Sequence, residues 1–385
     1  MRWIRRVAKT TYYAPLVFLI GVVLSGLLQL VPLFRVGEER LYDRYLALMP
    51  APEEDERLLY VAIDDPTIET VGNWPWSRTE IARGLLTLHE FRPERILLDI
   101  EFTDPSPLLV QRREVSPESI TQAGEEELRE ILSGLFRDRD AFLGRVIDSV
   151  GMVYLPVVID GRDGGGVRTV PPIEPIERGA AGLGFSNVVI DSDGVTRRMP
   201  PLRKGSEQAY PALGLAFLGY DESSIEMGEG SALLRGGRGS RPFRLPLDEQ
   251  GHFRIRWPEG RFQDSFRHLS WLALHQYQRS LEDLIFNLRI MNEAGFVPAE
   301  YESLAGLLGQ IVAAEERLAL EDRRELIQAL LALSSRYLRD ESEAIIVSRI
   351  EPLLNGEDLS PRVREEARAV LEDVRSSFEA SRSLH

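Results

Sequence analysis

The 385-residue sequence predicts an α/β fold: a mixed sheet with a parallel βαβ core plus antiparallel hairpins, one N-terminal transmembrane helix and a C-terminal all-helical region. Three observations carry that expectation. A run of 25 uncharged residues, 10–34, follows a basic stub. Two apolar runs, 58–63 (LLYVAI) and 95–100 (RILLDI), bracket a helix-start signal. Strand-like segments then cease at about Phe266, and apolar residues recur at helical spacing.

The centre of the uncharged run, 14–30, reads APLVFLIGVVLSGLLQL. About 20 such residues, rising 1.5 Å each, cross a hydrocarbon layer of about 30 Å. The run exceeds the apolar core of a signal peptide and ends without a small-residue cleavage site. Trp3, Tyr12 and Tyr13 fall where an interfacial aromatic belt would lie. Arg2, Arg5, Arg6 and Lys9 precede the run, and all 61 acidic residues follow it. By the positive-inside rule, residues 1–36 form a cytoplasmic stub and transmembrane helix in the inner (cytoplasmic) membrane, and the bulk is extracytoplasmic or periplasmic.

The elements follow in order. Residues 40–46 (RLYDRYL) read as a short amphipathic helix and 50–57 as a polar link. After the 58–63 strand, Asp65-Pro66 reads as an N-cap with proline at the first helical position, and Gly72 as the stop. Ser77-Arg78-Thr79-Glu80 is a capping box opening a helix to about Phe91. The 95–100 strand should then pair in parallel with the first. A charged helical stretch is expected over 117–149, and a strand over 152–159, where Pro156 suggests an edge or bulge. Residues 160–166 (DGRDGGG) read as a turn. Asp191-Ser192-Asp193-Gly194 predicts a hairpin of 183–190 with 195–199. Asp248-Glu249-Gln250-Gly251 predicts another, pairing 242–247 with 252–257. Residues 37–268 thus form an α/β domain and 269–385 a helical region. There Leu281, Leu284, Ile285, Leu288 and Met291 mark one helix face, and Asn355-Gly356 and Ser360-Pro361 mark helix ends. No repeat period emerges.

Composition removes several function classes. A net charge of −15 repels a phosphate backbone, so nucleic acid is not an expected partner. With no cysteine there is no thiol catalysis, disulfide or thiolate metal site. None of the five histidines sits in an HExxH pattern, and no GxSxG, GxGxxG or GK[ST] occurs. The acidic hairpin is no calcium loop, because Leu202 occupies the position of the closing glutamate.

The densest polar cluster is Asp64 and Asp65 with Asp99 and Glu101, at the carboxyl ends of two strands, where open α/β sheets bind ligands. Carboxylates so placed repel one another and call for a positive partner such as Arg78, a cation or a shared proton. Two readings stand. In one the cluster binds a ligand or metal; in the other Asp65 caps a helix, Asp99 binds loop amides and Arg78 closes a salt bridge. Trp74 and Trp76 either seal the top of the sheet or wall a pocket beside Asp64. Arg197 and Arg198 are expected to form an exposed ion pair with Asp191 or Asp193.

Taken together, Tyr42-Asp43, VAIDD (61–65), GNWPWSR (72–78), LLDIEFTDPS (97–106), GLGFSNVVIDSDGVTRRMP (182–200) and LPLDEQGHFRIRW (245–257) resemble the second CHASE class (CHASE2) of extracellular sensory domains, over about residues 38–274. The resemblance implies an extracytoplasmic input module whose relatives run through further membrane helices into a nucleotide cyclase, histidine kinase or Ser/Thr kinase. This chain departs from that pattern: it shows no second apolar span, no kinase motif, no cyclase metal motif and no late VLIG-type strand. The helical region is then an insertion or a tail. The expected function is a membrane-anchored sensory domain, not an enzyme, without cofactor or metal. Its ligand-binding candidates are Asp64, Asp65, Trp74, Trp76, Arg78, Asp99 and Glu101. Its expected partners are the membrane, a small-molecule or protein stimulus and a second copy of the chain. The alternatives are a scaffold acting through its helical tail and a metal hydrolase using Asp64, Asp99 and Glu101.

Overall fold

The computed structural model describes residues 15, 17–24, 32–49, 55–107, 109–110, 136–161, 167–191, 193–236, 241–257, 266–293, 295, 302–340, 348, 360–365, 368–369 and 372. The architecture is mixed α/β, with helices and several small sheets. Within the expected membrane-spanning run, the described residues 15 and 17–24 are helical. The next helix, α1 (Pro32–Leu48), already carries Arg35, Glu38, Glu39, Arg40, Asp43 and Arg44. No helix among the described residues is long and apolar enough to cross a membrane. This corrects the transmembrane helix of the expected fold.

After α1 come β1 (Tyr60–Ala62), α2 (Asp65–Val71), α3 (Arg78–Glu90) and β2 (Ile96–Leu97). The N-cap of α2 is Asp64, one residue before the expected Asp65; its carboxylate accepts from the Thr67 amide at 3.1 Å. Gly72 ends that helix, at φ 115°. Ser77 caps α3 as the sequence predicts, accepting from the Glu80 amide at 3.3 Å. A short antiparallel pair, β3 (Leu109–Val110) and β4 (Phe136–Arg137), precedes α4 (Arg139–Val150). Of the helical stretch expected over 117–149, residues 117–135 lie outside the described residues, and α4 occupies the end of it.

β5 (Val153–Gly161), β6 (Val167–Val170), α5 (Glu174–Glu177) and β7 (Gly182–Phe185) complete the largest sheet. β2 and β7 both pair with β5 in parallel, and β6 pairs with it antiparallel. The parallel βαβ arrangement therefore exists, but it starts from β2 rather than β1, and no ladder joins β1 to β2 among the described residues. The turn at 162–166 lies outside the described residues.

Pro156 sits in the middle of a central strand, not at an edge. The carbonyls of Val153 and Val157 accept from Ala181 and Ser186, so the odd-numbered residues serve β7. The Pro156 nitrogen faces the other side, where β2 stops pairing at Tyr154 and β6 begins at Val158. The missing N–H therefore falls in a gap between two ladders and costs no hydrogen bond.

The chain then runs through β8 (Arg198–Met199), β9 (Leu202–Lys204), β10 (Ala209–Pro211), α6 (Leu213–Phe217), β11 (Ile225–Gly228), β12 (Ser231–Leu234), β13 (Phe243–Pro246) and β14 (Phe253–Arg254). The Asp-Gly hairpin forms: Val189 bridges Arg198 and the Asp191 amide donates to the Val195 carbonyl. The second expected hairpin keeps its turn, with Asp248 N donating to His252 O at 2.8 Å. Its strands part, however, β13 pairing with β12 and β14 with β8.

One further strand, β15 (His268–Ser270), lies where strands were expected to have ceased, and it pairs in parallel with β1. It leads directly into α7 (Trp271–Glu293), followed by α8 (Glu302–Glu316) and α9 (Leu320–Asp340). Leu281 and Leu288 of α7 cluster with Leu308, Ile311, Ile327 and Leu330, and with the predicted Leu284, Ile285 and Met291. Ser360 caps the next turn through Val363, whereas Asn355-Gly356 lies outside the described residues. The main core joins Ile81, Leu85, Leu143, Ile147, Val153 and Leu155 to Trp76 and Trp271.

Trp271 packs flat against Gly84 of α3: a Cβ at that position would lie 2.0 Å from Trp271 Cζ2. Alanine there gains about 1 kcal/mol of helix propensity, but the buried indole cannot retreat, and overpacking costs about 1–3 kcal/mol. Gly84→Ala should therefore lower the urea midpoint of unfolding. Gly214→Ala in α6, with nothing within 4 Å, should leave it unchanged or raise it. Equal effects at the two positions would contradict this packing.

Candidate functional site

A cavity of about 510 Å³ opens beside the main core. Trp74, Pro75, Trp76, Arg78 and Ile81 line it from the loop before α3 and its first turn. Asp99, Ile100, Glu101 and Phe102, which follow β2, and Ser186, which follows β7, close the other side. The last five lie just past the carboxyl ends of two parallel strands, where open α/β sheets present loops to ligands.

The two tryptophans divide the work. Trp76 is buried, donates Nε1 to the Gly72 carbonyl at 2.8 Å and leans on Trp271 at 5.8 Å. Trp74 meets Trp76 edge to face at 5.3 Å and stays 42% exposed, so it forms the open wall. The Trp74–Pro75 bond is cis. Arg78 donates Nε to Asp140 at 2.9 Å and Nη2 to the Asp104 carbonyl at 2.8 Å, with its guanidinium 4.6 Å from the Phe102 ring centroid. Asp140 is itself buried and accepts from the Ser106 amide at 2.7 Å. The arginine is thus held in place by a carboxylate that the sequence reading did not single out.

Five of the seven predicted residues, Trp74, Trp76, Arg78, Asp99 and Glu101, share this cavity, and Asp64 and Asp65 do not. Asp64 accepts from the Thr67 amide and hydroxyl and from Ser270 Oγ at 2.9 Å, which ties α2 to β15. The Thr67 hydroxyl bond chiefly holds its carboxyl below the usual range. Asp65 is exposed in the first turn of α2. No group of three or more His, Cys, Asp or Glu among the described residues is placed to hold a metal ion, so the geometry does not assemble the hydrolase centre of Asp64, Asp99 and Glu101.

A second polar constellation lies where an exposed ion pair was expected. Arg197 is only 3% exposed. Its guanidinium donates to both oxygens of Asp43 at 2.8 and 2.7 Å and to both oxygens of Asp193 at 2.8 and 2.7 Å. Asp191 accepts a further bond at 3.2 Å. Arg198 pairs with Asp191 at 2.9 Å and Glu39 at 3.1 Å, and Arg254 lies 4.1 Å from the Tyr42 ring centroid. The hairpin thereby clamps α1 through Glu39, Tyr42 and Asp43. Propensity and local pattern could not reveal a contact across 154 residues. The one signal was that Tyr42-Asp43 and the DSDGVTRR segment both belong to the resemblance.

Hydrogen bonds from Arg197 hold Asp193 down at about 2 and Asp43 below the usual carboxylate range. Asp43 and Asp193 in turn raise the Arg197 pKa.

A family model described as the CHASE2 domain matches residues 16–302. No curated protein and no solved structure matches the chain.

Removing one partner of a buried charge group typically costs about 3–5 kcal/mol, because the others stay buried without it. Asp191 and Asp193 stay largely covered while Asp43, 44% exposed, can turn to water. Arg197→Leu should therefore destabilise the protein toward the lower end of that range and release α1, measured by urea unfolding and by amide exchange over residues 32–48. The pH dependence has a definite sign. A carboxylate whose pKa is depressed on folding stabilises above its unfolded value of 3.8 and loses that contribution as pH falls toward about 2. Protection of α1 should decline across that window in the native protein and be flat in Arg197→Leu.

Proposed function

The chain belongs to the CHASE2 domain family, an extracellular sensory domain family of signalling proteins, and from that premise we propose that the Trp74 cavity receives the stimulus and helix α1 reports it. The observation that supports this most is a continuity. Ser186 lines the cavity, and Asn187 beside it accepts from the Ile159 amide at 2.7 Å. Two residues on, Val189 bridges Arg198, and the adjacent Arg197 grips Asp43 of α1. A ligand that shifts Ser186 therefore pulls on a short segment whose far end holds the helix.

Such a ligand acts by binding one arrangement of this segment more tightly than another, and the shift is limited by that difference in affinity. The output coupled to α1 is of the cyclase or kinase type, and the chain is its extracytoplasmic sensor portion. No catalytic role is assigned to the cavity. The scaffold reading draws less support, because the apolar stripes of α7, α8 and α9 largely cover one another.

Thermal-shift screening of the purified chain against small metabolites tests the reading. Hits should be lost in Trp74→Ala, whose exposed indole contributes little to folding. In the native protein a hit should change amide exchange over residues 32–48. In an Arg197→Lys variant, which keeps the charge but not the doubly bidentate geometry, binding should persist while the response of α1 is weakened. Hits indifferent to Trp74→Ala, or no response of α1 in the native protein, would defeat the proposal.

A further inference from the structure

The walls of the cavity are unequal in charge. Arg78 is the one cationic side chain among its lining residues, and its Nε is already bonded to the buried carboxylate of Asp140 at 2.9 Å. Its Nη2 is taken by the Asp104 carbonyl, and its face lies against Phe102. An incoming ligand therefore meets a neutralised arginine. Asp99 and Glu101 are different: both are exposed, and among the described residues their carboxylates make no hydrogen bond or ion pair. Of the other carboxylates nearby, Asp64 is engaged by Thr67 and Ser270, Asp140 by Arg78 and Ser106, and Asp104 by the hydroxyl of Thr103. The cavity thus presents two uncompensated negative charges beside the exposed indole of Trp74, which Trp76 backs from the buried side.

From this pairing we infer that the cavity takes a compact organic cation, an amine or quaternary ammonium group carried on an apolar body. The inference rests on the cavity being the stimulus site and names the chemistry of what it receives. An ammonium group is attracted to the face of an indole and to a carboxylate alike, while an apolar body suits the Pro75, Ile81 and Ile100 surfaces. The volume of about 510 Å³ suits a small molecule. A metal ion is the competing cation, but the described residues offer no group of three ligands for one. An anion would face both free carboxylates with only a neutralised arginine in return.

Calorimetric titration of the full chain with three matched probes decides the matter: benzyltrimethylammonium, benzyl alcohol and benzoate. The cation should bind most tightly, and added salt should weaken it. Asp99→Asn with Glu101→Gln should reduce its affinity by about fivefold or more. That double variant should melt with the native protein, since neither carboxylate has a partner to lose. Trp74→Ala should weaken the cation and the neutral probe together. If the alcohol or benzoate binds as tightly as the cation and Trp74→Ala still removes it, the cation assignment falls while the cavity remains the stimulus site. If the double variant binds the cation as the native protein does, the assignment falls likewise. If no probe binds, or binding ignores Trp74→Ala, the cation assignment and the cavity reading fall together.

Discussion

The guanidinium of Arg197 is the centre of the patch that ties helix α1 to the rest of the molecule. Two carboxylates bracket it in bidentate fashion and a third adds a longer bond, so its donors are saturated although it is almost wholly buried. Taking an arginine out of water is expensive, and only such a fixed array of charge-assisted bonds offsets the cost. Two of those carboxylates, Asp191 and Asp193, come from the same tight hairpin as the arginine. They form a prefolded half-site, and Asp43 completes it. Glu39, Tyr42 and Asp43 stand at spacings of three and four residues, hence on one face of α1, and all three meet arginines of the body. Among its described side chains, the helix is therefore held at a polar patch. Polar attachments depend steeply on geometry, so a small displacement of the hairpin changes the hold on α1 more than an equal slide across a greasy surface would.

The cavity depends on a different constraint, the stack of Trp74 on Trp76 on Trp271. Trp271 opens α7 immediately after β15, and β15 lies beside β1, with Asp64 bridging α2 to Ser270. The floor under the exposed indole is thus built by residues some 200 positions away. Gly84 lets the Trp271 ring come down onto α3, and the Gly72 carbonyl fixes the Trp76 ring from the other side. Glu90 adds a further tie, accepting from Tyr277 at 3.0 Å and pairing with Arg323 of α9. The helices after β15 are in this way fastened to the cavity as well as to one another.

Local features were legible where the chain states its own geometry. The Ser77 cap, the stop at Gly72, the Asp-Gly turn and the apolar face of α7 all follow from residues within a few positions of each other. The cavity was legible in part, because Trp74, Trp76, Arg78, Asp99 and Glu101 fall in two loops that adjacent elements must bring near. What sequence could not supply was pairing at a distance. β1 finds β15 instead of β2, β14 leaves its own hairpin for β8, and Arg197 is buried by an aspartate 154 residues earlier. Pro156 misled for a related reason: whether a proline is tolerated depends on which side of the strand is unpaired there, and the neighbours decide that. The uncharged N-terminal run led to an expected span that no described helix supplies, because hydropathy counts residues and takes no account of how the chain is divided into helices.

The carboxylates of the molecule sort by what reaches them. Asp64 is met by a helix amide and two hydroxyls, so it caps and joins. Asp140 is met by Arg78 and an amide, so it fixes the arginine. Asp43, Asp191 and Asp193 converge on Arg197 and form the clamp. Each of these is spent on a partner within the fold, and for the buried ones an unpaired charge would be costly. Asp99 and Glu101 have the same chemistry and a place on the cavity wall, yet nothing within the described residues answers them. A charge that the fold leaves unanswered at the rim of an aromatic cavity costs little while water covers it. It becomes useful once a partner of opposite sign displaces that water. The residues that hold the structure and those that face outward are therefore told apart less by type or position in the chain than by whether the protein has already supplied their counterion.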